Sequence, residues 1–447
     1  MLWLCIRLPA LRHEALAADE GEALERLCAW AYQWSSQVCS RRGDETRASL
    51  LWLELAASRA LFGEPATLLA RIEQALREMG YSHACAIAPS PAAAALLTQS
   101  SARAEAPRCL LTHLALRESL AALPLRWLEL PLETRDALRS AGLSCIGEVL
   151  AMPRAALARR FGPECTHYLA RLLGELDDPQ PTFRLPELYR ARCVFDYDLH
   201  DTQGLLFPLQ RLLQEFQGYL RARDRAVLSF RLELEHVRRA SGGHEHSSST
   251  LTIGLSTPAR EATRFLMLVR ERLHTLVLSA PVSALTLAAD AFTAPAVVQA
   301  DLFGNEAQQL GELTHLLDRL RARLGAQAVQ ELQLYADHRP ERAFGSSSST
   351  SSSAAAMARA DAHTAPITAA ITDSPTNAPR PRALLAHPQR IEPPTTLLKG
   401  PERIASGWWD GDDVLRDYYV ARAADGARQW VFHDLRENSW YLHGLWI

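Results

Sequence analysis

Twice along this chain, apolar runs and amphipathic stretches follow one another in the order strand, helix, strand, strand, helix, strand. That order leaves few ways to fold: it closes most simply as a sheet with its helices on one face, an α+β arrangement. In the first pass Leu2–Leu8 reads as a buried strand and Gly21–Trp34 as a helix, with Leu24, Leu27, Cys28, Ala31 and Trp34 at helical spacing. A weak strand at Ser36–Ser40, a strand at Leu50–Ala56, a helix at Pro65–Met79 and a strand at His83–Ala88 complete it. The second pass has strands at Arg192–Leu199, Ala226–His236, Thr250–Leu255 and Val282–Ala288, with helices at Gln203–Arg221 and Arg260–Leu273. Ser241–Ser249 reads as its flexible hairpin connection.

Between the passes, Arg117–Asp178 is mostly helical, with short helices at Pro131–Ser140, Ile146–Ala151 and Arg154–Phe161 around a turn at Gly142. After them come an extended piece at Gln299–Gly304 and a helix from Glu306 to about Leu324. Gly345–Pro381 is rich in Ser, Ala, Thr and Pro; with few large apolar side chains it is expected to be a disordered linker. The tail, Arg403–Ile447, is dense in Trp and Tyr.

With 447 residues, 48% of them hydrophobic, the chain has material for several domains and a sizeable core. No apolar run approaches the roughly 20 residues that span a bilayer, and Met1–Leu8 is too short for a signal peptide, so a cytoplasmic protein is expected. The eight cysteines form no CxxC pair and read as buried thiols, with no metal site expected. A net charge of −3 confines any nucleic-acid contact to local arginine-rich faces.

Three stretches carry a resemblance. Arg403-Ile404-Ala405-Ser406-Gly407-Trp408-Trp409-Asp410-Gly411, Arg416-Asp417-Tyr418-Tyr419 and Trp440-Tyr441-Leu442-His443-Gly444 look like the C-terminal signature of the ImuB type of Y-family DNA polymerase homologue. Asp337-His338-Arg339-Pro340-Glu341 is similar to a second landmark of that family, and Leu53–Gly63 resembles its central palm strand and following turn. The resemblance implies a Y-family polymerase-like multidomain layout. Residues 1–105 would be a palm with the fingers largely absent, 106–185 a helical thumb and 186–292 a little finger. Residues 293–344 would hold a clamp-binding motif and a helix, 345–395 a linker, and 396–447 an aromatic partner-binding segment. Only Pro9 to about Glu20 stands where the family has its fingers insertion; the fingers are either lost or missing from a shortened chain.

Nucleotidyl transfer needs two magnesium ions about 4 Å apart, held by carboxylates. The family pattern places one Asp at the end of the first strand, where this chain has Ile6, Arg7 and Leu8, and an Asp-Glu pair where it has Ser49 and Leu50. None of these side chains is a magnesium ligand of the required kind, so a pseudo-polymerase without catalytic residues or cofactor is expected. The alternative is an active translesion polymerase using Asp44 and Glu45. That needs a register slip of about five residues, which turns every side chain to the other face. The basic motif that usually follows the last palm strand is also missing: Ala86–Ala95 contains no lysine.

Gln299-Ala300-Asp301-Leu302-Phe303 matches the Q-x-x-L-F peptide that docks on a sliding clamp (the beta subunit), with Gln299 in a polar pocket and Leu302 and Phe303 in a hydrophobic groove. Gly142 and Gly147 sit in a turn resembling a helix-hairpin-helix. With Arg154, Arg159, Arg160, Arg223 and Arg225 they are the candidate contacts to damaged DNA, and solvated surface charge is the competing reading. In the tail, Trp408, Trp409, Tyr418, Tyr419, Trp440 and Tyr441 form either a packed core or a docking surface. The resemblance implies that this end meets a RecA-like partner (ImuA) and an error-prone C-family DNA polymerase. It further implies SOS-induced mutagenic translesion synthesis at the nucleoid.

Overall fold

The computed structural model describes residues 1–14, 16, 19–44, 47–99, 108–240, 243–295, 306–325, 328–329, 331–335, 337–347 and 380–446. They form two compact units, Met1–Arg323 and Leu324–Ile447. Among the described residues no helix is long and apolar enough to cross a membrane.

The first sheet is built from β1 (Trp3–Leu8), β2 (Val38–Arg41), β3 (Ser49–Glu54) and β4 (Ala84–Ala88). Helix α1 (Leu11–Glu14) and helix α2 (Glu20–Ala31) follow β1, and α3 (Arg59–Phe62) and α4 (Pro65–Glu78) follow β3. The strand order is β2-β3-β1-β4, all antiparallel, so each crossover straddles a strand of the other. Alternation along β1 sends Leu4, Ile6 and Leu8 towards α2 and α4, where they pack with Leu27, Leu51, Leu53, Ile72 and Leu76. Trp3 and Cys5 point the other way, against Leu50, Trp52 and Ala86.

That second face is covered by α5 (Pro91–Thr98), a helix the sequence reading did not include. Its start is a cap: the Ser90 hydroxyl accepts from Ala93 N at 3.2 Å and Pro91 occupies the first turn. Behind it lie α6 (His113–Ala121), α7 (Leu132–Ser140), α8 (Ile146–Ala151), α9 (Arg154–Phe161) and α10 (Pro163–Leu173), sharing one core with the sheet. The three expected helices around Gly142 are present, α7 starting one residue later than expected and the other two with the expected bounds.

The second sheet contains β5 (Tyr189–Leu199), β6 (Val227–Ala240), β7 (Gly243–Ala259) and β8 (Val282–Ala289), with α11 (Leu206–Ala222) and α12 (Ala262–His274). Its order is β5-β8-β6-β7, a different interleaving of the same chain order. The expected flexible connection at Ser241–Ser249 is overturned over most of its length. Ser249 pairs with Leu234 and His246 with Val237, so β6 and β7 form one long hairpin. α13 (Glu306–Leu324) closes on this domain through Asp318, whose carboxylate accepts from Ser256 N and Arg264.

The two sheets are joined by α2 packing along α11. Arg26 and Glu215 form a buried ion pair at 3.1 Å, and the Tyr81 hydroxyl donates to Glu215 at 2.7 Å. Arg211 Nε donates to the Met79 carbonyl at 2.8 Å. Gly218 presses its bare Cα against Trp30, leaving no room for a Cβ.

In the second unit, β9 (Glu331–Leu334) pairs with β10 (Phe344–Ser347). A five-stranded antiparallel sheet follows, from β11 (Ala383–Ile391), β12 (Leu397–Ser406), β13 (Val414–Arg422), β14 (Arg428–Asp434) and β15 (Ser439–Leu445), in the order β11-β15-β14-β13-β12. The linker expected over 345–395 is therefore corrected at both ends: Gly345–Ser347 and Ala383–Ile391 are hydrogen-bonded strands. Residues 348–379 lie outside the described chain.

Candidate functional site

Across the β1–β3 pair, Arg7 stands opposite Leu50 and Leu8 opposite Ser49. The two places singled out in sequence as the metal-ligand positions are thus direct cross-strand neighbours. Their side chains are otherwise engaged. Leu50 and Leu8 are each 1% exposed, and Ile6 packs beneath the sheet. Ser49 Oγ accepts from Gly43 N at 2.8 Å and donates to Glu20. Arg7 Nε donates to Thr98 Oγ1 on α5 at 2.9 Å.

The nearby acidic residues are also occupied. Asp44 lies exposed in the β2–β3 loop, where its carboxylate accepts from Arg47 N at 2.9 Å; Glu45 is outside the described residues. Glu54, on the central strand, is buried, and its oxygens accept the amides of Leu2, Ala56 and Ala57. It caps the strand end rather than facing solvent.

Gln299, Asp301, Leu302 and Phe303 fall outside the described residues. On either side the chain is anchored: Thr293 exchanges two backbone hydrogen bonds with Ala226 at 2.9 Å, and α13 begins at Glu306.

Of the candidate DNA contacts, Arg159, Arg160 and Arg225 are exposed and have no carboxylate partner among the described residues. Arg154 is paired with Glu175 at 2.8 Å, and Arg223 donates to the Pro186 carbonyl at 2.7 Å. Gly142 has φ +84° and open space at its Cα, whereas Gly147 is a packing glycine whose Cβ would lie 2.8 Å from the Ala121 carbonyl. Two amides of that turn, Ser144 N and Cys145 N, already donate to Glu148, which holds this carboxyl below its usual range. An amide nest for phosphate at this turn is therefore filled by the protein itself.

The tail aromatics divide. Tyr418 is 1% exposed, stacks on Trp430 at 4.2 Å and hydrogen-bonds His443 Nδ1 at 2.8 Å, so it belongs to the core and is corrected as a contact residue. Tyr419 packs on Trp440 at 5.4 Å and Tyr441 on Phe432 at 5.1 Å, all half-buried except Phe432. Trp408 and Trp409 are 78% and 48% exposed and meet edge-on at 5.5 Å.

What holds those two tryptophans out is Arg339, a residue quoted in sequence only as part of a landmark. Its guanidinium is 2% exposed and forked onto Asp337 (2.7 Å) and Asp410 (2.6 Å), and it donates to the Asp412 carbonyl at 2.8 Å. Asp410 follows Trp409 directly and Asp412 stands two residues further on, and Gly407 (φ +87°) makes the turn in the left-handed region. The hydrogen bond from Arg339 pulls the Asp410 carboxyl down to about 2. Six of the eight cysteines are buried and all are free thiols, and burial raises the Cys28 thiol to about 12.

No protein-family model matches the chain. Among curated proteins it is similar to Protein ImuB of Caulobacter vibrioides strain NA1000 / CB15N, at 28% identity over 453 residues, 96% of this chain and 94% of that one. Protein ImuB of strain ATCC 19089 matches to the same extent. Among solved structures it is similar to DinB from Sulfolobus solfataricus, at 10% identity and a TM-score of 0.29, covering 65% of this chain and 98% of that one. A DinB family error-prone DNA polymerase from the same organism gives 11% identity, a TM-score of 0.31 and the same coverage. Scores of this size support no residue-by-residue transfer.

Proposed function

We propose that this chain, similar to ImuB along almost its whole length, is a non-catalytic Y-family polymerase-like adaptor. In this reading it binds the sliding clamp through Gln299, Leu302 and Phe303. It lies on damaged template DNA through the helical domain and second sheet, and recruits an error-prone C-family polymerase through its C-terminal sheet, in SOS-induced mutagenic translesion synthesis.

The observation that carries the reading is the pairing of Arg7 with Leu50 and of Leu8 with Ser49. Two magnesium ions need several carboxylate oxygens converging at one end of the sheet. Here those places hold a guanidinium, two aliphatic chains and a hydroxyl already bonded to Gly43 and Glu20. Asp44, exposed and turned to Arg47, gives the active-enzyme reading no support.

Linking weak contacts in one chain raises local concentration without new chemistry. The exposed Trp408–Trp409 pair supplies the aromatic anchor such a contact uses, presented without an ordering cost because Arg339 has already fixed the turn. ImuA is the proposed partner alongside the polymerase.

Two measurements test the reading. Primer extension with magnesium or manganese is expected to give no template-dependent incorporation; incorporation would overturn it. Clamp pull-down is expected to succeed with the native chain and fail with Leu302→Ala plus Phe303→Ala. Equal recovery of both would remove the clamp from the account.

A further inference from the structure

Helices α2 and α11 meet along narrow faces. Arg26, Ala29 and Trp30 lie on one side of α2, and Arg211, Glu215 and Gly218 on one side of α11, each set at helical spacing. Ala29 packs into the core of the second sheet, and Gly218 lets Trp30 come close. Packing alone leaves a helix pair several crossing angles of similar fit, because different ridges can enter different grooves. Relative motion is the default for two domains unless their interface is large and apolar.

Inside this contact lies a polar cluster that fits one arrangement. Both oxygens of the buried Glu215 carboxylate meet the domain of the first sheet: Oε1 accepts from the Tyr81 hydroxyl at 2.7 Å, and Oε2 lies 3.1 Å from Arg26 Nε. Arg26 Nη1 donates to the Arg192 carbonyl on β5, so one guanidinium from α2 holds both a helix and a strand of the second domain. Arg211 reaches back from α11: its Nε donates to the Met79 carbonyl at 2.8 Å, and its guanidinium lies 4.8 Å over the Tyr81 ring. Arg26, Tyr81 and Arg211 are 4%, 3% and 4% exposed.

We propose that this buried cluster is a registration device, which fixes the second sheet at a single angle to the first in the free chain. Such a cluster adds little net stability, since taking charges out of water costs about what their attraction returns. Its effect is on the alternatives. A rotation of the helices would strand a carboxylate and two guanidinium groups in apolar surroundings, a penalty that apolar side chains of similar volume would not carry. Two backbone bonds, from Phe183 N to the Val38 carbonyl at 2.8 Å and from Val194 N to the Leu16 carbonyl at 2.6 Å, tether the domains side by side. Loss of the cluster therefore frees rotation rather than separating the domains. With the angle fixed, exposed Arg159 and Arg160 on α9 and Arg225 beyond α11 stand at a set spacing before any ligand arrives. The inference stands apart from the adaptor reading, because no partner enters its test.

Double electron–electron resonance between genetically encoded spin labels at Glu78 on α4 and Arg270 on α12, both exposed, reads the angle in the full chain without using its eight cysteines. One narrow distance is expected for the native chain. The triple Arg26→Met, Glu215→Leu, Tyr81→Phe should keep its helical dichroism while that distance spreads or splits, an outcome that a purely stabilising cluster would not produce. Arg26→Lys keeps the charge and most of the packing, and so the fold, but cannot fork onto Glu215 and the Arg192 carbonyl together; it should spread the distance too. A broad or split distance in the native chain would overturn the proposal, as would an unbroadened native distance in the triple or in Arg26→Lys.

Discussion

Arg26 and Glu215 meet at 3.1 Å with 4% and 0% of their side chains exposed, one from the helix under the first sheet and one from the helix under the second. The approach is an ion pair rather than an aligned hydrogen bond, and Tyr81 supplies Glu215 with the hydroxyl donor it needs. Removing one member leaves a buried charge without its partner. Glu215→Ala is expected to cost about 3–5 kcal/mol in denaturant unfolding. The apolar triple Arg26→Met, Glu215→Leu, Tyr81→Phe should recover part of that: neither member of the pair nor the hydroxyl is then stranded, but buried Arg211 keeps its charge beside them and the Arg192 carbonyl loses the Arg26 donor. Equal losses for single and triple variants would mean that packing, not charge, holds the helices together.

Gly218→Ala sets two effects of opposite sign against each other. In an open helix the change gains about 1 kcal/mol. Here the new methyl meets the Trp30 ring, itself 3% exposed, and overpacking costs about 1–3 kcal/mol. Net destabilisation is expected, read as a lowered denaturation midpoint of the full chain.

Trp408→Ala and Trp409→Ala should leave stability within about 0.5 kcal/mol, as exposed substitutions do, while abolishing capture of the proposed polymerase or ImuA partner. Tyr418→Ala should do the opposite, costing about 3–5 kcal/mol through the cavity left against Trp430. Arg339→Met should resemble the tryptophan variants in partner capture, with an altered near-ultraviolet dichroism signal as the turn loosens. Unchanged capture by Arg339→Met would detach the turn's geometry from binding.

Acid should loosen the C-terminal sheet in two stages. Burial holds His443 below its ordinary 6.5, with the Glu341 carboxylate opposing and Arg416 adding to the shift, and Tyr418 bonded to Nδ1. The unfolded chain therefore takes up the proton first, so this contribution is complete above about pH 6.5 and declines as pH falls. Asp410, held at about 2 by Arg339, contributes fully above about pH 4 and is lost on descent towards about 2. Tryptophan fluorescence of the native chain against pH should show both arms; His443→Gln should erase the upper and Asp410→Asn should reduce the lower, to which Asp337, Asp413 and Asp417, each held down by an arginine, also contribute.

Where local pattern governs, the sequence was readable. The strands of the first sheet, the helices around Gly142 and the helix from Glu306 all follow from periodicity and breakers. The misses have long-range causes. Ala383–Ile391 has its apolar residues split by His387-Pro388-Gln389-Arg390, and it becomes a strand, with a register shift between Leu384 and Gln389, where β15, the last strand of the sheet, offers it an edge. The β6–β7 hairpin extends through a serine-rich stretch because its backbone ladder does not need apolar side chains. Tyr418 and Tyr419 are adjacent and alike in sequence, yet strand alternation buries the first and half-exposes the second. The pairing of Arg26 with Glu215 had no local signal at all. Ser90 followed by Pro91 is a local start signal for α5, masked by a run of alanines that suits many environments.

Leu50 sits between Arg7 and Arg41 of the neighbouring strands at a position packed with Trp3, Trp52 and α5, so a carboxylate placed there would enter hydrocarbon with only guanidinium groups for company. Its burial would cost several kcal/mol before any metal arrived to reward it. A metal site could therefore not be built at this end of the sheet one substitution at a time without passing through unstable intermediates.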